Sequence, residues 1–363
     1  MMPIDGTLLE IAEKYGNFSQ PFVHMPAGEA LALASQHYGI SGQMDRLATE
    51  KDDTFLIRCR AGRAFILKVE HPRESIGDVI FQTALLDYLR DTRPDLHVPR
   101  VIRGNDGAAI MHCTDRAGQV RQVRLLSYLE GLPLEYPAPT THIRRQIGEQ
   151  LARLRHALAD FAHPGEGRVL IWDVRRLPDL LPVLPFIDDP SHRACAGAAM
   201  ARFIPLLPAI RGLRTQVLHN DFTCSNLLAV SRQDETVAGI IDFGDALHTA
   251  VAIDLSTAMA AQLPLEGPAD EAAFLSASRD VLHGYLKHAE LLPEEVAMLG
   301  PLMMARVLLR ALISTWREMV FPEDCPQMRY YDRITWEQLA WFVERDPDTV
   351  SRLFTRDVPF HGS

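Results

Sequence analysis

Cysteine is scarce. Five thiols stand among 363 residues, at Cys59, Cys113, Cys195, Cys224 and Cys325, and no two of them form a C-x-x-C pair. That excludes a zinc knuckle and a dithiol redox motif, and scattered thiols in odd number fit a reducing compartment. Basic charge is short as well. Lys plus Arg is 37 against 47 for Asp plus Glu, a formal net charge of −10. The basic surplus with which a general nucleic-acid binder releases counterions is therefore missing. The fourteen histidines make no HExxH or HxxxH pattern. The opening residues, Met-Met-Pro-Ile-Asp-Gly, carry no basic segment ahead of an apolar one. No unbroken apolar run approaches the roughly 18 residues of a membrane span. Repeats and low-complexity segments are absent too. What remains is an ordinary globular mixture, 47% apolar and 23% charged. A chain this long buries a sizeable core and has room for two domains. The expectation is a cytoplasmic protein whose partners include neither nucleic acid nor membrane.

The first half alternates strand and helix signals. Residues 26–39 read as a short helix ended by Gly39. Phe55–Cys59 and Ala64–Val69 flank Ala61-Gly62-Arg63, a hairpin signal. A helix follows near 75–90, with Ile76, Val79, Ile80, Leu86 and Leu89 at helical spacing. Val98–Ile102 and Ala108–Met111 flank Gly104-Asn105-Asp106-Gly107, which predicts a second hairpin. Val120–Leu129 reads as a further strand. Five antiparallel strands with one inserted helix make a plausible small lobe. Leu132-Pro133 and Pro137-Ala138-Pro139 then read as a rigid linker, followed by an amphipathic helix from about Thr141 to Phe161. Residues 190–212 and 270–320 carry helical patterns, and the single β-like region of the second half lies between them.

That region carries the chemistry. Its two segments are His219-Asn220-Asp221-Phe222-Thr223-Cys224-Ser225-Asn226 and Gly239-Ile240-Ile241-Asp242-Phe243-Gly244-Asp245. Leu227–Val230 and Val237–Ile241 read as two strands joined by a loop over 231–236. In a hairpin the start of one strand lies beside the end of the other. Asn226 is therefore expected near Asp242, with Asp221 close to both. Two carboxylates and an amide oxygen at one end of a β-ribbon suit a hard divalent cation. Mg²⁺ takes one or two protein carboxylates and leaves its other positions to phosphate and water. Asn226 and Asp242 are the expected metal ligands. Asp221 is left to orient a hydroxyl and accept its proton, the division of labour phosphoryl transfer requires.

H-x-D-x-x-x-x-N followed by I-D-F-G resembles the catalytic and metal loops of protein-kinase-like phosphotransferases. The variant here is similar to the aminoglycoside phosphotransferase family, which also holds choline, homoserine and hydroxylysine kinases. Ile171-Trp172-Asp173 and Asp242–Asp245 look closest to the hydroxylysine kinase branch. The resemblance implies an α+β, two-lobed protein-kinase-like fold, with a small antiparallel sheet over about 1–127 and a mainly helical lobe over about 128–363. It implies a hinge near 127–131, where backbone groups at Ser127 and Leu129 meet the nucleotide base. It implies Lys68, on Phe65–Val69, as the phosphate-gripping lysine, and Asp254, twelve residues after Asp242, as the brace of the catalytic loop. The implied cofactors are Mg²⁺ and ATP or GTP. The implied acceptor is a hydroxyl of an amino acid or amino alcohol, 5-hydroxylysine first, with aminoglycoside, homoserine or choline as alternatives. Two features depart from the pattern. The presumed phosphate-covering loop, Ala48–Thr54, has no glycine. The acid expected to pair with Lys68 from the next helix is replaced by Ile80 where it would align, leaving Glu74 or Asp78 as candidates.

Other residues divide between functional and ordinary readings. His219 is read as orienting the loop by hydrogen bonds. Asp245 and Asp173 are candidates to meet a substrate ammonium, each with an exposed turn acid as the alternative. Trp172 is read as core. Arg306 and Arg310, one turn apart, are able to reach a substrate carboxylate bidentately but read more simply as surface salt-bridging residues. Arg144-Arg145 and Arg175-Arg176 read as solvated helix faces. A nucleotide-binding scaffold without turnover is the reading from a different class. A two-metal hydrolase lacks the histidine ligands it would need.

Overall fold

The computed structural model describes residues 6–15, 22–49, 51–135, 138–231, 236–265, 271–320 and 328–355. Glu50 and Pro137, and residues 232–235 of the expected 231–236 loop, fall outside them. The chain opens with α1 (Gly6–Lys14) and α2 (Ala27–Tyr38). Gly39 ends α2 in the left-handed conformation, φ 64°, with its N–H returned to Ser35 and Ala34 carbonyls, the αL cap that glycine supplies without strain.

Six strands follow: β1 (Gln43–Leu47), β2 (Asp53–Arg58), β3 (Ala64–Val69), β4 (Val101–Ile102), β5 (Met111–Thr114) and β6 (Val120–Ser127), with α3 (Ile76–Thr92) inserted after β3. The sheet is antiparallel, in the order β1-β2-β3-β6-β4, with β5 also on β6. β1 was not expected from sequence: Gln-Met-Asp-Arg-Leu lacks β-branched residues, and pairing with β2 along all five positions makes it a strand. The second hairpin is corrected. Gly104–Gly107 does form a turn, with Gly104 N–H donating to Ala108 O. But β4 and β5 do not pair with each other. They lie end to end along β6, β4 at Leu125–Leu126 and β5 at Val120–Val123.

Strand periodicity sorts the side chains. On β3, Phe65, Leu67 and Val69 are buried while Ile66 and Lys68 face the other way. The first set packs beneath α2 with Ala30, Ala34, Phe55, Ile57, Val123 and Leu125. The second face meets α3 and the rest of the molecule. Lys68 is thus directed toward the helical lobe by a two-residue repeat.

The chain crosses to that lobe through β7 (Leu132–Pro133), which pairs with a later strand instead of acting only as a linker. α4 (Thr141–Ala157) is capped by the Thr140 hydroxyl. A proline-rich 3₁₀ run spans Val174–Phe186 and leads to α5 (Pro190–Phe203) and α6 (Leu207–Arg211). Then come β8 (Thr215–Leu218), β9 (Leu227–Ala229), β10 (Val237–Ile240) and β11 (Leu247–Ala250), paired as β10-β9-β7 and β11-β8. The remainder is helical: α7 (Val251–Ala260), α8 (Glu271–Tyr285), α9 (Pro293–Val320), α10 (Met328–Val343) and α11 (Pro347–Thr355).

Two glycines set how α4 crosses α8. A Cβ at Gly148 would fall 1.9 Å from Val281 O, and one at Gly284 would fall 1.8 Å from Arg145 O. Backbones this close admit no side chain. Across the same contact Arg144 pairs with Asp280 at 2.8 Å, so this arginine bridges helices and is not a solvated face residue. The stretches Pro190–Arg211 and Pro293–Val320 are long and apolar enough to cross a membrane by length and composition, which a search for unbroken apolar runs does not register. The second is mostly buried inside the protein and forms its central helix.

Candidate active site

The two loops singled out in the sequence fold as a unit. β9 and β10 pair antiparallel, Leu227 opposite Ile240, so Asn226 and Ile241 flank the same end of the ribbon. Ile241 N–H donates to Asn226 O at 2.9 Å. Asn226 Nδ2 donates to Asp221 Oδ2 at 2.7 Å and to Asp221 O at 2.9 Å. Its amide oxygen is left as a hard donor, and Asp242 lines the same cavity.

His219 ties the first loop to the second. Its Nε2 lies 3.1 Å from Ile241 O, and its Nδ1 accepts the Asp221 N–H at 3.3 Å. The carbonyl fixes the tautomer, with the proton on Nε2. The ring is fully buried against Phe222 and Phe243. Asp254, at the first turn of α7, accepts the Asn220 N–H at 2.7 Å. Asn220 needs such an anchor, because its φ is +63°, a left-handed conformation that costs a non-glycine residue free energy. Burial raises the Asp254 carboxyl to about 6, with His219 and the Asn220 N–H pulling the other way.

Asp242 is the second strained residue, at φ +57°. Its Oδ1 accepts the Gly244 N–H at 3.1 Å. Burial works against its charge, but Lys68, the Gly244 N–H and Lys51 outweigh it and hold the carboxyl below its usual range. Lys68 is the reciprocal case. Burial opposes its charge, while Asp242, Asp52 and Glu70 raise the ammonium above the ordinary lysine value.

The acidic partner of Lys68 is neither sequence candidate. Lys68 Nζ lies 3.4 Å from Asp52 Oδ2. Glu74 instead faces Lys51 at 3.9 Å and Arg168 at 3.7 Å, and Asp78 pairs with Arg168 at 3.3 Å. Gln82 on α3 accepts from Arg124, which also grips Glu70. The partner comes from the residue before β2 because β2 and β3 are neighbours in the sheet, with Asp53 opposite Val69.

Lys68, Asp221, Asn226, Asp242 and Asp245 share one cavity of about 500 Å³. Ser127 and Leu129 do not line it. The N–H and hydroxyl of Ser127 are engaged with Arg100: its N–H donates to Arg100 O and its hydroxyl accepts the Arg100 N–H, each at 2.8 Å. Asp173 is also elsewhere. It caps the 3₁₀ run, pairs with Arg175 at 2.9 Å and faces a second, arginine-lined cavity. It meets a guanidinium where a substrate ammonium was considered.

The sequence reading did not single out Lys51, and it assigned Trp172, Arg306 and Arg310 to other surroundings. Lys51, from the glycine-free loop, lines the cavity and brings a second ammonium. Trp172 lines it as well, only partly buried. Arg306 and Arg310 are cavity residues and not a surface pair. Arg306 Nη2 contacts Asp221 Oδ1 at 3.0 Å, its Nη1 donates to Trp172 O at 3.0 Å, and its guanidinium lies 4.8 Å from the Trp172 ring centre. The signal in the sequence was two arginines at i, i+4 within a largely apolar stretch of α9.

Among the described residues no group of three or more His, Cys, Asp and Glu gathers as a metal cluster. An amide oxygen and one ionised carboxylate are a sparse, hard donor set. It fits a cation that keeps phosphate and water in its remaining positions. Gly244 completes the cradle: a Cβ there would sit 2.9 Å from Asp242 Oδ1.

The sequence profile of the phosphotransferase enzyme family matches residues 48–291. A hydroxylysine kinase of Danio rerio is 26% identical over 221 residues, 57% of this chain and 62% of that protein. A homoserine kinase of Rhodospirillum rubrum is 28% identical over 283 residues, covering 75% of this chain and 81% of its own length. Among solved structures, a microcompartment-associated aminopropanol kinase superposes with a TM-score of 0.67 at 21% identity, over 84% of this chain and 93% of its own. An amicoumacin kinase in complex with AMP-PNP and Ca²⁺ gives 0.63 at 18% identity, over 84% and 92%. These likenesses bear out the two-lobed, protein-kinase-like α+β fold expected from the motifs. With its catalytic-loop and metal-loop motifs inside the matched segment, the chain belongs to the phosphotransferase enzyme family.

Proposed function

We propose that this phosphotransferase moves the γ-phosphoryl group of ATP or GTP to a hydroxyl of an amino acid or amino alcohol, 5-hydroxylysine first. The observation that carries the reading is the convergence of Asp221, Asn226, Asp242 and Lys68 on one cavity. In this reading the lobe over 1–127 holds the nucleotide. Lys68 steadies its phosphates, helped by Lys51. Asn226 and Asp242 hold a divalent cation, Mg²⁺ in our proposal, which supplies neutralisation of charge on the phosphate oxygens. The acceptor oxygen attacks the γ-phosphorus, the bond from that phosphorus to the β,γ-bridging oxygen breaks, and Asp221 accepts the hydroxyl proton. His219 and Asp254 position the Asp221 loop, and Asp245 is placed to meet an ammonium. Homoserine is the second acceptor, favoured by the homoserine kinase relative of Rhodospirillum rubrum.

The test is Mg²⁺-dependent turnover with ATP and GTP against 5-hydroxylysine, homoserine, choline, ethanolamine, 1-amino-2-propanol and kanamycin. Asp221→Ala serves as the control. Phosphorylation of an amino acid, ethanolamine or 1-amino-2-propanol, lost in the variant, supports the reading. Phosphorylation of kanamycin or choline alone would replace the acceptor class. Nucleotide binding without any turnover would favour a scaffold.

A further inference from the structure

A second cavity, of about 400 Å³, is lined by Arg168, Arg175, Arg176, Arg211 and His248, together with Asp173. Its volume falls within the range of small-molecule sites, roughly 300–1,000 Å³. The cations arrive from separate stretches of chain. Arg168 precedes the 3₁₀ run, Arg175 and Arg176 belong to it, Arg211 ends α6 and His248 lies on β11. The chain as a whole is acidic, at −10, so four guanidiniums around one space do not follow from average composition.

Acids reach this group too. Asp173 is spent on Arg175, at 2.9 Å, and Arg175 Nη2 also donates to His248 O at 2.8 Å. Arg168 pairs with Asp78 at 3.3 Å and Glu74 at 3.7 Å. Arg176 acts on the charge of Asp179, but that carboxylate already accepts from Lys14 Nζ at 2.8 Å and from the Tyr15 hydroxyl at 2.5 Å. Among the described residues, the side chains of Arg176 and Arg211 make no hydrogen bond or ion pair. Two unpartnered guanidiniums on one space repel each other, and an anion between them relieves both.

The guanidiniums also choose the anion. Their planar forks match phosphate oxygens. A phosphate group brings about two negative charges at neutral pH and three acceptor oxygens, enough to meet Arg176, Arg211 and the His248 ring together. The cavity wall is fixed on its inner side. Arg168 Nη1 donates to Gly244 O at 2.8 Å and to Ala246 O at 3.4 Å, so the residue that lines this cavity also supports the metal loop.

We propose that this second cavity is an anion site that takes a phosphate group, free or as a small monoester. It is distinct from the cavity of Asp221, and binding there needs no turnover.

The test is isothermal titration at low ionic strength, with inorganic phosphate and glycerol phosphate as probes. The first cavity, with Lys51 and Lys68, offers phosphate a place of its own. Wild-type protein is therefore compared with Lys68→Met and with Lys68→Met that also carries Arg176→Gln and Arg211→Gln. Binding should survive Lys68→Met, and the two glutamines should then raise Kd at least about tenfold, the scale of a hydrogen bond to a charged group. Tighter binding of glycerol phosphate identifies a monoester as the ligand, and equal affinity identifies free phosphate; either supports the site. Wild-type protein that binds neither probe up to about 10 mM overturns it. So does binding that disappears in Lys68→Met, or that keeps its Kd when both glutamines are present. Arg211 is exposed, so Arg211→Gln alone, on the wild-type background, stands in where a multiple variant does not fold, and unaltered binding there overturns the site as well. No nucleotide or acceptor enters the measurement, so failure of the kinase reading leaves its outcome untouched.

Discussion

Gly244→Ala separates the geometry of the metal loop from the stability of the fold. The new methyl would lie 2.9 Å from Asp242 Oδ1, about 0.5 Å inside the 3.4 Å at which ordinary contact begins. The backbone has little room to yield, because Gly244 O accepts from Arg168 Nη1 at 2.8 Å and from Gln82 Nε2 at 3.4 Å. The carboxylate must move instead, and with it the 3.1 Å bond from the Gly244 N–H. A misplacement of about 1 Å in a positioned site can cost about a hundredfold. Half of that suggests a loss of about tenfold in kcat/KM, about 1.4 kcal/mol of transition-state stabilisation. The apparent affinity for Mg²⁺ should fall with it. Stability should go the other way. The φ of Gly244 is not among the positive values, so alanine suits the backbone and lowers the entropy of the unfolded chain, worth about 0.4–1 kcal/mol. A steady-state assay over a Mg²⁺ series, run beside a thermal melt, reads both. Wild-type kcat/KM at low Mg²⁺, or a melt that falls along with activity, would refute the argument that the methyl acts on Asp242.

Three further outcomes follow from buried charge. Lys68→Met leaves Asp242 with less opposing charge, so the acidic limb of the kcat/KM profile should move to higher pH, and a pH series on the residual activity checks it. Glu74 is buried and its carboxyl is raised from 4.5 to about 7, first by desolvation, with Glu70 and Asp52 adding to it and Lys51 opposing. The folded state therefore keeps a proton that the unfolded chain has lost, and stability falls as pH rises through that window, by about 3 kcal/mol at most. Glu74→Gln should flatten the urea midpoint between pH 5 and 8 (about the span of that titration), and an unchanged slope counts against it. Arg121 is fully buried between Asp53 at 3.1 Å and Asp115 at 3.3 Å. Arg121→Met removes the guanidinium that two buried carboxylates share and should cost about 3 kcal/mol, measured by urea denaturation. A cost below about 1 kcal/mol, the scale of an exposed pair, would show that His24, Arg46 and the Met25 N–H alone hold Asp53.

The conserved geometry of a hairpin is why so much of the candidate site was readable. Asp221, Asn226 and Asp242 lie within one β-ribbon and the loop that enters it, so counting residues was enough to bring them together. Lys68 followed from a two-residue alternation on β3. The errors have a common cause. Gly104–Gly107 makes the turn its residues demand, yet the flanking strands diverge because the eight-residue edge of β6 offers both a place. The helix after β3 was searched for a partner to Lys68, but the neighbouring strand supplies Asp52. Asp173 carries an acid toward the site in sequence, and the 3₁₀ run turns it to Arg175.

The sequence by itself determined that Asp221, Asn226 and Asp242 come together and how the two loops face each other, since those relations span a few tens of residues and follow from strand pairing and turn geometry. Tertiary structure alone decided what surrounds them. Arg306 reaches Asp221 across 85 positions, and Gln338 reaches Arg310 across 28. No local period encodes such meetings, because they depend on how α9 is seated among its neighbours, and that is set by the summed packing of the whole helical lobe.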